Sequence, residues 1–296
     1  GCELGDKVAA RVVLRGLRHA DHRCRILKSF GSSARAASCA KALLKLNGIP
    51  EEFSAPALEQ AERLAEQGIR PAARKGRLDL REEVIFTIDS ADSKDLDDAV
   101  SLSREGDHYR LGVHIADVSH YVTGGSPLDQ EAFVRGTSLY YADRVVPMLP
   151  EALSNGICSL NPGEDRLAFS ALLTVGRDGE LLDFDFKKSV IRSRVKGVYS
   201  EINQILAGGA PQDILDKYRG LTDSLALMEE LADILTAKKR SRGAPEIETN
   251  ESRILIGDDG AVADIQLRSR GKSERIIEEF MLLANQAAAT LGRERR

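Results

Sequence analysis

Five aspartates fall within ten positions of this chain: Asp89, Asp92, Asp95, Asp97 and Asp98. They follow Val84, Ile85, Phe86, Thr87 and Ile88, a β-branched and aromatic run that predicts a buried strand. Carboxylates delivered this densely from a rigid element repel one another unless positive charge stands between them. Hard divalent cations such as Mg²⁺ take oxygen ligands and are held by one or two carboxylates together with substrate phosphates. Asp89, Asp95, Asp97 and Asp98 supply that donor set. An EF-hand calcium loop needs Gly at its sixth place, where counting from Asp89 or Asp95 gives Lys94 or Val100. A solvated acidic loop is the plainer alternative. It leaves unexplained the apolar Leu96 and the run Ala99 to Leu102, which predict packing against a core.

The remaining candidates are single residues. Tyr140 and Tyr141 are consecutive, so on a strand only one ring faces a given side. An exposed ring can stack on unpaired bases; two ordinary core aromatics are the alternative. Arg166 offers a phosphate contact or a structural ion pair, and the two readings weigh equally. His114 shares a strand face with Ala116, Val118 and His120 and is read as a hydrogen-bonded structural histidine. Glu278 and Glu279 sit on a helix, with ligand contact set evenly against capping or surface salt bridging.

At 296 residues, 42% of them hydrophobic, the chain holds one large domain or two small ones with a sizeable core. No apolar stretch reaches the roughly 18 residues of a membrane span, and no charged-then-apolar leader opens the chain, so a cytoplasmic protein without membrane attachment is expected. The net charge of −4 does not point to nucleic acid. Charge is nonetheless local: Lys187, Lys188, Arg192, Arg194 and Lys196 form one basic segment, Lys238 to Arg242 a second, and Arg268, Arg270, Lys272 and Arg275 a third. Each alone reads as a solvated face; around a carboxylate-rich centre they suit a polyanion cleaved at a metal. Cys2, Cys24, Cys39 and Cys158 lack paired spacing and read as reduced thiols. His19, His22 and Cys24 lack a fourth ligand for a zinc site.

The elements that must position these residues follow from patterning. Lys7 to Leu14 and Arg23 to Ser29 read as two strands, and Ala34 to Leu46 and Pro56 to Gln67 as helices bounded by Gly and Pro. Asp98 to Ser103 and Tyr109 to Val118 read as strands about a turn at Gly106 and Asp107, and short connections favour an antiparallel sheet. Ser126 caps a helix that Gly136 ends. Leu167 to Val175 and Glu180 to Val195 form a long hairpin, and Arg253 to Ile256 with Val262 to Leu267 another. Val198 to Leu206 and Leu221 to Arg240 are amphipathic helices. Ser273 is expected to cap a last helix whose stripe is Ile276, Ile277, Phe280, Met281 and Leu283.

The segments IDSADSKDLDDAVSL, RLGVHIADVSHYV, RGTSLYYADRVVPMLPEALSNGICSLNPGEDRLAFS and IIEEFMLLANQAA resemble, in order, the catalytic RNB domain of the ribonuclease II family, with its bacterial ribonuclease R branch nearest. The resemblance implies an α+β fold: a mixed, largely antiparallel sheet with surrounding helices. It implies residues 1–33 as the remnant of a cold-shock, OB-type β domain, 34–80 as a helical connector, and 81–296 as the first part of the catalytic domain, so that the chain is read as a fragment.

The implied activity is a Mg²⁺-dependent, or Mn²⁺-dependent, 3′-to-5′ exoribonuclease that hydrolyses single-stranded RNA to nucleoside 5′-monophosphates and acts as a monomer. Asp89, Asp95 and Asp98 are then the metal carboxylates, Asp97 holds a metal or the attacking water, and the GTS-x-Y pattern places the active-site tyrosine at Tyr140. Asp92 matches no acidic position of the pattern. The family's late arginine motif, SPIRRY-D, has no counterpart in these residues, and its second stacking aromatic aligns with Ile247. Weak or absent activity of the 296 residues alone is therefore expected. The competing class is a catalytically incompetent relative that grips RNA. A metal phosphohydrolase acting on other substrates has no use for the basic segments or the tyrosines.

Overall fold

The structure is a computed structural model that describes residues 1–18, 21–245, 251–268 and 270–295. His19, Ile247 and the side chain of Arg268 lie outside the described residues. In chain order, β1 (Asp6–Leu14) and β2 (Arg23–Ser32) precede α1 (Ala36–Leu46), α2 (Ala55–Gln67) and α3 (Pro71–Arg74). Next come β3 (Leu78–Asp79), β4 (Thr87–Asp89), β5 (Asp98–Glu105), β6 (His108–Ala116), α4 (Val118–Tyr121) and α5 (Pro127–Arg135). The middle contains β7 (Leu139–Tyr140), β8 (Val145–Val146), a π-helical turn at Ala152–Ile157, β9 (Asp165–Gly176), β10 (Leu181–Arg192) and β11 (Lys196–Val198). Helices α6 (Tyr199–Leu206), α7 (Gln212–Lys217) and α8 (Thr222–Ser241) lead to β12 (Glu251–Ile256), β13 (Val262–Arg268) and α9 (Lys272–Glu294).

Contacts divide the chain into two units. The first takes Gly1–Leu58, Gly125–Pro150 and Thr249–Ser269. Its β1 and β2 pair antiparallel, as do β12 with β13 and β7 with β8. Helix α5 begins where Ser126 Oγ accepts the Asp129 amide and stops at Gly136, whose φ of 73° is the left-handed conformation glycine adopts without strain. Arg135 braces this unit: its guanidinium stacks on Phe53 at 3.8 Å and donates to the Glu52 carbonyl at 2.7 Å.

The second unit, Glu59–Gly124 with Glu151–Glu248 and Arg270–Arg296, is built on a five-stranded sheet ordered β3-β10-β9-β6-β5. Every pair is antiparallel except β3 with β10, so the expected mixed, largely antiparallel α+β architecture is observed. Alternation along the strands splits the core in two. On one face Val100, Leu111, Val113 and Leu173 pack against Leu225, Met228 and Leu231 of α8 and Ile276 and Phe280 of α9. On the other lie Ile85, Leu96, Ala99, Ala116, Leu160, Ala168 and Ile191.

Three expectations need correction. The strand read as far as Val118 stops at Ala116, and Val118–Tyr121 form helix α4, so Val118 and His120 do not share a strand face with His114. The strand expected over Val84 to Ile88 is shorter: Val84 is exposed, Phe86 bridges Val100, and only Thr87–Asp89 form a ladder, in parallel with β11. The Ile85 carbonyl is taken instead by the Arg194 amide at 2.7 Å. Ser273 does not cap α9. The cap is Gly271, whose amide donates to Glu274 at 3.0 Å, while the Ser273 hydroxyl is buried inside the helix start and donates to the Tyr199 carbonyl. Among the described residues no helix is long and apolar enough to cross a membrane. The four cysteines are all free thiols.

Candidate metal and RNA site

The four aspartates come from the end of one strand, the start of another and the loop between. Asp89 ends β4 and pairs in register with Val198 of β11, and Asp98 opens β5 opposite Ile115. Between them, residues 90–97 form no ladder, so their backbone groups need other partners. The Lys196 ammonium donates to the carbonyls of Ala91 at 2.8 Å and Ser93 at 2.5 Å. The Leu160 amide donates to the Leu96 carbonyl and the Ala116 amide to that of Asp97, both at 2.9 Å. Leu96 is buried in the core, as its apolar character predicted, and the carboxylates stand on either side of it. Asp92 sits exposed on the loop.

Electrostatically the carboxylates form one group. Burial pushes Asp89 up to about 7; Asp98 adds to the rise, Lys196 opposes it, and Asp95 and Asp97 raise it further. Asp98 is raised to about 6 by burial and then by Asp97, and Asp97 is raised by burial and then by Asp95 although its edge stays exposed to solvent. Asp89 Oδ2 is buried and accepts no hydrogen bond, a state that costs about 1–3 kcal/mol unless a cation satisfies it. Among the described residues no three acidic, histidine or cysteine side chains are already gathered around one ion position. The donor chemistry fits a hard divalent cation: four carboxylates, mutual repulsion, and one buried oxygen without a donor.

The other predicted residues are placed as follows. Arg166, buried in the second unit, donates through Nε to the Ser159 carbonyl at 2.7 Å and through Nη2 to the Gly156 carbonyl at 3.2 Å and Glu164 at 2.6 Å. Glu164 is its ion-pair partner. Tyr140 belongs to the first unit, on β7, with 67% of its surface exposed. His114 is buried and structural, contacting Ser101 Oγ at 3.1 Å and Ser170 Oγ at 2.7 Å. Glu279 is buried and paired with Lys239, while exposed Glu278 faces Arg270 at 3.8 Å.

Much of the basic character is spent locally. Lys187 pairs with Asp185, Lys188 with Asp117 and Arg192 with Asp165. Arg194 donates to the Glu82 carbonyl, Lys238 pairs with Glu180, and Lys272 and Arg275 pair with Glu229 and Asp233. Sequence reasoning counted Lys196 in a basic segment without its anchoring role, and passed over Ser159, whose hydroxyl touches the acidic loop. Neither residue carries a local signal, since each partner lies dozens of positions away.

Residues 77–296 match the RNB domain family. Ribonuclease R 1 of Lactococcus lactis is 47% identical over 243 residues, which is 82% of this chain and 29% of the relative. Ribonuclease R of Thermotoga maritima is 44% identical over 244 residues, 82% of this chain and 34% of the relative. The chain thus spans about a third of the length of the curated relatives it matches. Among solved structures, Mycoplasma genitalium RNase R in complex with ribose-methylated single-stranded RNA superposes with a TM-score of 0.85 at 25% identity, over 98% of this chain and 45% of that one. The match over residues 77–296 covers most of the sequence, and the chain belongs to the RNB domain family.

Proposed function

We propose that this chain carries the metal-holding part of a 3′-to-5′ exoribonuclease site that hydrolyses single-stranded RNA to nucleoside 5′-monophosphates. The observation that carries the reading is the buried, unbonded Asp89 Oδ2 among four mutually repelling carboxylates. Asp89, Asp95 and Asp98 would hold Mg²⁺ or Mn²⁺, with Asp97 holding a metal or orienting the attacking water. A bound divalent ion supplies Lewis-acid charge for the phosphate and lowers the pKa of water. In the second unit Leu96 keeps the loop anchored in the core and Lys196 holds its outer turn; in the first, taken by itself, Tyr140 offers an exposed ring for a base. In this assignment residues 1–33 are the end of an OB-type domain, residues 34–80 a connector, and residues 81–296 the start of the catalytic domain.

The test uses the protein expressed from its complete reading frame and a 5′-labelled single-stranded oligoribonucleotide. A ladder shortening from the 3′ end, with nucleoside 5′-monophosphate released and EDTA stopping it, is expected. Shortening that persists in EDTA, or that starts from the 5′ end, overturns the reading.

A further inference from the structure

The acidic loop is fixed at Asp95 by one hydroxyl from a distant part of the chain. Ser159 is fully buried. Its Oγ accepts the amide of Leu96 at 3.0 Å and lies 2.8 Å from the carbonyl of Lys94, to which it donates. These are the backbone groups immediately before and after Asp95, so a single side chain straddles that residue. A hydroxyl has one proton and two lone pairs. The proton goes to the shorter contact, and Asn161 Oδ1 stands at 3.2 Å as the other acceptor in reach. The next residue continues the clamp, because the Leu160 amide donates to the Leu96 carbonyl. Ser159 is itself held: its carbonyl accepts from Arg166 Nε at 2.7 Å, and Arg166 also ties down the Gly156 carbonyl. A continuous path therefore runs from β9 through Arg166 and Ser159 to the segment between Asp95 and Asp97.

We propose that Ser159 is a positioning residue for the acidic site, holding Asp95 in the conformation in which it joins Asp89, Asp97 and Asp98, with Arg166 as its brace. The proposal rests on the reading that these aspartates hold a divalent ion. Without the hydroxyl, the buried Leu96 amide loses its acceptor and the Lys94 carbonyl its donor, which frees the loop to shift Asp95. Groups that orient metal ligands from behind typically change metal affinity by about 10- to 100-fold when removed. The hydroxyl-bearing replacement Ser159→Thr keeps the clamp and should retain the affinity.

The experiment is a Mn²⁺ titration of the 296-residue chain, reading bound ion by the loss of the free Mn²⁺ paramagnetic resonance signal, with thermal midpoints measured in parallel. Ser159→Ala is expected to weaken Mn²⁺ binding by about tenfold or more, and Ser159→Thr to restore it. Ser170→Ala, which removes another fully buried hydroxyl, one that contacts His114 and Ser189, is expected to lower the midpoint with Mn²⁺ affinity unchanged. Equal affinity in wild type and Ser159→Ala, with Asp89→Asn losing the ion, overturns the Ser159 proposal alone. Wild type that takes up no Mn²⁺, or Asp89→Asn that binds as wild type does, overturns the metal reading and the proposal with it. Should Ser159→Ala fail to fold, Ser159→Cys, nearly isosteric but a weak donor and acceptor, takes its place: weakened affinity supports the clamp, and unchanged affinity overturns it.

Discussion

Arg77 donates to Asp117 at 2.6 Å with both side chains buried, 6% and 3% exposed. The same guanidinium reaches the Ala73 carbonyl at 2.7 Å. Burial alone would raise the Asp117 pKa; hydrogen bonds from Arg77, Ser119 and Lys188 outweigh it and hold the carboxyl below its ordinary range. Removing one partner of a buried pair costs about 3–5 kcal/mol, an upper bound here because the Lys188 ammonium and the Ser119 hydroxyl still face Asp117. Arg77→Ala should therefore lower unfolding stability in urea denaturation by up to about that amount, and Arg77→Met with Asp117→Leu should recover most of it. A single variant as stable as wild type contradicts this account of the sheet's outer edge.

His114 gives a pH signature. Burial pushes its pKa down from 6.5 to about 3, so the fold holds it neutral. Its two ring nitrogens face the hydroxyls of Ser101 and Ser170. The unfolded chain binds this proton near pH 6.5 and the folded chain does not. The stabilising contribution is thus complete above pH 6.5 and is lost progressively as the pH falls toward 3. The raised pKa values of Asp89 and Asp98 act in the opposite sense below pH 7, so the comparison must be differential. The thermal midpoint of wild type should fall relative to that of His114→Gln between pH 6.5 and 4. Parallel curves would show that burial does not suppress His114 protonation.

Gly197 permits the close approach of β11 to β4. A Cβ there would lie 2.4 Å from the Thr87 carbonyl oxygen and 3.0 Å from Ile202 Cδ1. Backbone cannot yield as a side-chain tip can, so Gly197→Ala must push the strands apart at the base of Asp89. Overpacking of this kind costs about 1–3 kcal/mol. Denaturation should show that loss together with weakened Mn²⁺ binding. Unchanged ion affinity would mean that β11 does not position Asp89.

The acidic site was only partly legible in the sequence. Leu96 inside an acidic run announced a loop anchored in the core, because an apolar residue among carboxylates has few other uses. The strand and helix pattern of the second unit was similarly visible, since its buried faces follow periods of 2 and 3.6. Ser159 and Lys196 were not legible: serine at a buried turn and lysine in a basic segment look ordinary, and their partners are set by tertiary pairing. The cap of α9 was misplaced for a related reason. Ser273 has the better capping chemistry, but Tyr199 competes for its hydroxyl and Glu274 serves the Gly271 amide instead.

Tyr140 is the proposed base-stacking ring. Alanine substitution of such a ring costs about 1–3 kcal/mol per base, or roughly 5- to 150-fold in affinity. Tyr140→Ala should weaken binding of a single-stranded oligoribonucleotide within that range, and Tyr140→Phe should retain it because stacking needs the ring and not the hydroxyl. Fluorescence anisotropy at fixed salt measures both. Loss in Tyr140→Phe equal to that in Tyr140→Ala would exclude stacking as the contribution.

The role of the acidic cluster is tested most directly by Asp97→Asn, nearly isosteric and one charge short, in the protein expressed from its complete reading frame. The rate of Mg²⁺-dependent release of nucleoside 5′-monophosphate from a labelled oligoribonucleotide is the measurement. A fall of at least about 100-fold with RNA affinity retained is predicted, in line with the weight of charge-stabilising groups at reacting centres. Cleavage by Asp97→Asn at the wild-type rate would contradict the assignment of these aspartates to the chemistry.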